Sequence, residues 1–385
     1  MTNSSEPIHG GRVFDAARAL GRHWYEIIDF SANINPLGQP RGLKDALFQD
    51  FERSLHYPEV RAESLSLRLS EITGLAADHF MAGAGSTPHL HLLPRALGLA
   101  RPVIIGPAFA EYEGALTRSG LASKYVLTRE EDDWLVTGDT LNRVFREEPD
   151  SVFVAHPANP TGRLVPGAIL EELAAECLRR NIWLVLDEAF IDFTENSLTL
   201  LPLVASNTRL VVLRSLTKIF ALPGLRLAFL AAHPLVMNTL TPLVEPWPLS
   251  SQAISAGHFC LSRPGFKEES LAAVNNYRDR QLKAVKALGL GRIYPSEANF
   301  MLLKLREEID SQDLIGHLFD AGVLVRDAAN FNGLCPGYIR LAVRPPDEVE
   351  ALVKSLGSFL PAANEGNLPR EILLEPLTGP RGSHP

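Results

Sequence analysis

The chain is predicted to be an α/β protein with a largely parallel sheet, followed by a smaller α+β domain. Two observations carry the first half of that statement. Runs apolar at nearly every position, at 103–105, 152–155, 182–186, 210–213 and 227–231, mark strands buried on both faces. They alternate with stretches whose apolar residues recur at helical spacing, at 88–99, 111–119 and 166–180. A third observation separates the second half. After the proline-rich 242–248 and a helix at 251–261, the pattern changes to a long helical stretch, 266–288, then strands at 299–305, 323–326 and 338–343 with helices at 312–319 and 346–359.

Before the first run, residues 1–8 are polar, and His9-Gly10-Gly11 opens a short amphipathic segment at 13–20. A brief strand at 27–30 runs into the turn Ser31-Ala32-Asn33-Ile34-Asn35-Pro36-Leu37-Gly38. Helical spacing at 43–55 and 63–72 flanks the loop His56-Tyr57-Pro58. Beyond about residue 361, interleaved Pro, Gly, Asn and Ser give the composition of a disordered tail, with 372–374 as a stretch apolar enough to dock.

Composition bounds the function. In 385 residues, 46% hydrophobic and 21% charged is ordinary for a globular chain with a sizeable core. A net charge of −8 gives no electrostatic reason to expect nucleic acid or an anionic membrane as partner. Cys177, Cys260 and Cys335 lack CxxC pairing and leave one over in any disulfide scheme, which suits a reducing compartment. No apolar leader core and no uncharged run near the roughly 20 residues of a membrane span is present. A soluble, cytoplasmic protein is expected, and no metal.

The richest stretch is residues 213–229, where an apolar run ends in Ser215, Thr217 and Lys218, and Arg226 follows before the next run. Lysine is the side chain that forms Schiff bases and arginine grips phosphate bidentately, so the set suits pyridoxal phosphate. On that stretch alone, a surface lysine and arginine flanking two strands explain the pattern equally well. Ligands in sheets of this kind sit outside the carboxyl ends of the strands, which directs attention to three other places. Gly83-Ala84-Gly85-Ser86-Thr87-Pro88 is a glycine turn opening a helix, whose free N–H groups suit an anion, although a simple capped turn reads the same way. In His156-Pro157-Ala158-Asn159-Pro160-Thr161-Gly162 two prolines stiffen the backbone around Asn159, or merely make a tight loop. Asp187 closes the run 182–186, and a carboxylate emerging from a buried strand is placed to keep a pyridine nitrogen protonated. Glu188 is read as structural. Lys218 follows Asp187 by what is expected to be one strand-helix-strand unit.

In this order, each behind its own strand, these motifs resemble the fold type I pyridoxal phosphate enzymes of the class I/II aminotransferase superfamily, over about residues 9–360. The resemblance implies an aminotransferase-like large domain with a seven-stranded, mostly parallel sheet. It divides the chain into an arm, 1–40, associated with the small domain; a large cofactor-binding domain, 41–262; a small domain, 263–361; and the tail, 362–385. It implies that Lys218 carries the cofactor as a Schiff base, Asp187 pairs the pyridinium and Asn159 bonds the ring hydroxyl. Gly85, Ser86, Thr87, Ser215, Thr217 and Arg226 would surround the phosphate, and Phe109 would stack on the ring. Tyr57 would reach the cofactor phosphate of a neighbouring subunit, which implies a homodimer with shared active sites.

Within that superfamily, His9-Gly10-Gly11, the turn from Asp29 to Gly38, Asp187-Glu188-Ala189-Phe190-Ile191-Asp192-Phe193 and the stretch from Arg214 to Leu227 resemble the threonine-phosphate decarboxylases of cobalamin biosynthesis. Histidinol-phosphate aminotransferases are the near relatives and the alternative. They usually carry a tyrosine where this chain has Phe190, and usually lack an N-terminal turn of this form. Departures from the decarboxylase pattern are Ala84, Ala158 and His56, where asparagine, asparagine and arginine are common. The resemblance implies a phosphorylated amino acid as substrate, with Arg340 on its carboxylate side and Arg326, His9 and Asn33 on its phosphate. Guanidinium forks suit both anions. Asn159 would face substrate as well as cofactor, and Arg344, before two prolines, is read as a strand-end cap. A transcription regulator of the same fold would need a basic winged-helix module ahead of the aminotransferase-like part; the likeness starts at His9 in an acidic chain, so none is expected.

Overall fold

The computed structural model describes residues 9–195 and 198–360; the expectations for residues 1–8 and for the tail, including 372–374, lie outside the described residues. In chain order the strands are β1 (Ile28–Asp29), β2 (Phe80–Gly83), β3 (Pro102–Gly106), β4 (Lys124–Leu127), β5 (Ser151–Ala155), β6 (Trp183–Asp187), β7 (Leu210–Ser215), β8 (Ala228–Ala232), β9 (Gly291–Ile293), β10 (Phe300–Leu305), β11 (Val323–Leu324), β12 (Arg326–Asp327) and β13 (Tyr338–Ala342). Seven of them form one sheet in the order β2-β8-β7-β6-β5-β3-β4.

The five apolar runs are strands of this sheet, and successive residues of each run serve opposite faces. Val152, Val154, Leu184, Leu186, Leu210 and Val212 pack into one core, with the helices Glu63–Thr73, Gly167–Arg179 and Ser251–Leu261. Phe153, Ala155, Val185, Val211 and Leu213 pack into another, with Ser86–Ala96, Ala110–Arg118 and Pro234–Leu240. Two strands of the sheet escape sequence reading. One is β2, a short buried Phe-Met-Ala-Gly; the other is β4, a half-buried edge strand reading Lys-Tyr-Val-Leu.

The sheet is mostly parallel, as expected, with one strand reversed. β4, β3, β5, β6 and β7 are parallel, but β8 is antiparallel to both β7 and β2. The segment from Ser215 to Ala228 holds only the one-turn helix Leu216–Ile219, too little for a parallel crossover, so the chain folds straight back. This places the residues before β8 at the same sheet edge as those after the other strands: Gly83 and Ser215 both sit opposite Ala228. The connection from β6 to β7 also departs from expectation, because the described residues between them form the 3-10 turns Ile191–Phe193 and Leu201–Ala205 rather than an α-helix.

A four-stranded sheet, β12-β13-β10-β9, and a two-stranded one, β1-β11, complete the fold. The run 323–326, expected to be one strand, is divided at Val325: its first part pairs with β1 and its second with β13. β1 thereby ties the N-terminal arm to this half of the molecule. Phe30 completes the tie, with its carbonyl accepting from Ala342 N at 2.8 Å and its ring fully buried in a third core with Met301, Leu303, Leu318 and Leu341.

Candidate active site

Strands β2, β5, β6 and β7 end at the shared edge and are followed there by residues of one cavity. Asp187 ends β6, and both its oxygens are held: Tyr112 Oη donates to Oδ2 at 2.7 Å and Ala189 N to Oδ1 at 2.9 Å. Burial pushes its carboxyl up and those donors only partly offset it, so Asp187 is a nearly buried carboxylate facing a cavity without a hydrogen-bonded cation. Lys218 lies one turn past β7, lining the same cavity. Desolvation lowers its amine to about 8, with Arg340 and Arg226 adding repulsion that Asp187 partly offsets.

One side of the cavity is built from backbone and hydroxyls. Gly85 has φ +90° and caps the helix Ser86–Ala96, whose first N–H groups receive no side-chain cap. A Cβ at Gly85 would lie 2.3 Å from Arg226 Nη2, so only glycine allows the guanidinium this close. Ser215 Oγ and Thr217 Oγ1 lie 2.6 Å apart, and both line the cavity with Thr87 and Phe109.

A second cavity adjoins the first and shares Thr87, Phe109, Asn159, Phe190, Lys218 and Arg226 with it, adding His9, Asn33, Arg326 and Arg340. Arg326 and Arg340 are direct partners across the β12–β13 ladder, an arrangement of like charges that destabilises unless something intervenes. Their acceptors are neutral. Arg340 donates to Asn159 Oδ1 at 2.5 Å and to Ser31 O at 2.6 Å; Arg326 donates to Asp327 O and, at 2.6 Å, to Asn330 Oδ1. Burial, then the neighbouring Arg326, brings Arg340 down to about 9. Among the described residues none of Lys218, Arg226, Arg326 and Arg340 has an ion-pair partner. Asn33 Oδ1 and Arg340 Nε are buried here without a partner.

All but one of the expected site residues thus surround two joined cavities. The exception is Tyr57, which is 82% exposed, stacks on Trp247 at 4.7 Å and lines neither cavity. Glu188 turns away to Arg214 Nε at 2.8 Å and to Thr199, and Arg344 pairs with Glu348, as their structural readings expect. Tyr112 and Asn330 were missed. Tyr112 stands one helical turn after Phe109, a spacing that would have flagged a hydroxyl aimed at the same place; nothing local marks Asn330.

Comparison with known proteins follows from this geometry. The family model for aminotransferase class I and II matches residues 25–356. The chain belongs to that family. It is 35% identical over 354 residues to a threonine-phosphate decarboxylase of Salmonella typhimurium, covering 91% of this chain and 96% of that one. A histidinol-phosphate aminotransferase of Frankia casuarinae is 32% identical over 371 residues, covering 90% and 89%. The solved structure of histidinol-phosphate aminotransferase from Sinorhizobium meliloti in complex with pyridoxal-5'-phosphate superposes with a TM-score of 0.81 at 21% identity, covering 92% of this chain and 96% of that one. The fold is therefore that of fold type I aminotransferases, and pyridoxal phosphate is the cofactor of this family member. The residues fit it: a cation-seeking buried carboxylate, a lysine with a lowered pKa, and a glycine–arginine cradle occupy one cavity.

Proposed function

We propose that the chain decarboxylates L-threonine O-3-phosphate to (R)-1-amino-2-propanol phosphate, the linker of the cobalamin nucleotide loop. The observation that carries this reading is the set of cations without ion-pair partners, above all the Arg326–Arg340 pair, on a cavity joined to that of Lys218. A substrate with two anions, carboxylate and phosphate, answers that set. The likeness to the Salmonella decarboxylase supports it.

Bound through Lys218, pyridoxal phosphate supplies an electron sink whose ring nitrogen Asp187 keeps protonated. Asn159 offers its amide N–H to the ring hydroxyl, since Arg340 already occupies its Oδ1. Ser86, Thr87, Ser215, Thr217 and Arg226 hold the cofactor phosphate, and Phe109 covers the ring. Arg340 would grip the substrate carboxylate and Arg326, with His9 and Asn33, its phosphate, two holds that together would orient the substrate and choose the bond that breaks. Carbon dioxide leaves, and Lys218 Nζ returns a proton to Cα. The protein works as a homodimer in which Tyr57 reaches the partner's cofactor phosphate; Trp247, stacked on it, and the exposed Phe48, Phe51 and Leu55 earlier in the chain supply apolar surface for that contact. Its location is cytoplasmic, in keeping with three cysteines that form no disulfide.

The test is one assay on two substrates. Carbon dioxide release from L-threonine phosphate with little keto product is expected. Transamination of histidinol phosphate with 2-oxoglutarate, and no carbon dioxide, would replace this reading with that of the aminotransferase relatives.

A further inference from the structure

We propose that Glu111 is a positioning residue for the substrate phosphate, acting by holding His9 over the substrate cavity; this deepens the function proposed above and rests on it. Glu111 lies in the first turn of the helix Ala110–Arg118, directly after the ring-covering Phe109. It is a nearly buried carboxylate on a cavity whose other charged lining residues are Lys218, Arg226, Arg326 and Arg340, and there an uncompensated negative charge would repel a phosphorylated substrate.

Its compensation is specific. Oε1 lies 2.9 Å from His9 Nε2, while Oε2 has His91 Nε2 at 3.4 Å and Arg118 Nη1 at 3.6 Å. Arg118 Nη1 also lies 2.9 Å from His91 Nε2. Arginine only donates, so His91 Nε2 is the acceptor of that bond and has no proton to give Glu111. His9 is then the one imidazole that hydrogen-bonds the carboxylate, with its proton on Nε2 and its other nitrogen on a ring that lines the cavity. The arm fixes the other end of His9. A Cβ on Gly10 would meet Ser31 O at 2.2 Å, and Gly11 N donates to Ser31 Oγ at 2.8 Å. Ser31 O is the acceptor of Arg340 Nη2, so the arm links Glu111, His9 and the substrate arginine in one chain of contacts. The charged groups facing His9 across the cavity are Lys218, Arg226, Arg326 and Arg340.

A double-mutant cycle tests this on the holoenzyme. His9→Ala and Glu111→Gln are each expected to raise KM for L-threonine phosphate about tenfold, the rise lying in KM rather than kcat. The double variant is expected to be no worse than His9→Ala alone, because Glu111 acts through His9. Multiplying effects, or a Glu111→Gln protein with unchanged KM, would overturn the proposal. Should Glu111→Gln lose the visible cofactor absorbance, Glu111→Asp carries the same cycle, since its shorter carboxylate withdraws from His9 but keeps its charge. If the unmodified protein releases no carbon dioxide from L-threonine phosphate, the function above fails, and the cycle is read instead on KM for histidinol phosphate, whose phosphate His9 would equally meet.

Discussion

The two halves of the site are held by different means. The cofactor half is assembled at one edge of a single sheet, from residues that end or follow adjacent strands, so their relative positions are set by ladders buried on both faces. The substrate half gathers His9 and Asn33 from the arm and Arg326 and Arg340 from a different sheet, joined by β1 pairing and by hydrogen bonds to neutral acceptors. The lesson is a division of labour. On the proposed assignment, the anchor common to any reaction of the cofactor stands on one sheet, while the residues that choose the bond come from the arm and from another sheet.

The largest effect that would probe this division is loss of the anchor itself. Lys218→Ala is expected to lower decarboxylation by about 10^4-fold or more, the scale on which removal of a covalent catalyst is felt. The visible absorbance of the bound cofactor should vanish with it. A variant that kept this absorbance would remove Lys218 from the assignment and dissolve the distinction between the halves.

Next comes a residue on the seam. Arg340→Ala deletes the proposed grip on the substrate carboxylate, a charged contact of roughly 1.5–3 kcal/mol, so KM should rise about ten- to 150-fold in steady-state assays. It also removes one of the two cations that, after burial, lower Lys218 to about 8. A lysine amine attacks only when unprotonated, so cofactor capture by the cofactor-free protein should quicken as pH rises through about 8 and level above it. In Arg340→Ala that rise should move to higher pH, because less repulsion opposes the charged amine. An unmoved profile in stopped-flow absorbance would mean that the halves are electrostatically independent.

How much of this was legible follows the same line. Lys218, Asp187 and Asn159 announce themselves because each stands beyond an apolar run, and burial on both faces makes such runs visible. The direction of β8 was not legible, since a doubly buried run reads alike in either orientation and only the short link before it decides. The split of 323–326 between two sheets was hidden for the same reason: its partners, β1 and β13, lie far away in sequence. Arg326 and Arg340 were named by residue type and resemblance, but their direct opposition across a ladder is a matter of register. Tyr112 and Glu111 sit on one helix whose pattern reads as an ordinary amphipathic face, and what they touch, Asp187 and His9, is long-range.

The smallest effect is the most discriminating. Phe190 lines both cavities, with its ring edge-on to Phe300 at 5.0 Å and Lys218 Nζ 5.9 Å from its centroid, and the aminotransferase relatives usually have a tyrosine there. Phe190→Tyr adds one neutral donor beside the cofactor, about 0.5–1.5 kcal/mol, so dissociation of the cofactor should slow by roughly two- to tenfold when followed by absorbance. The ratio of carbon dioxide to keto product should stay where it was, because a hydroxyl in the anchoring half gives the substrate no new orientation. If that single oxygen instead turned the protein toward transamination of histidinol phosphate, bond choice would reside beside the ring, and the arm with its two arginines would be reduced to substrate capture.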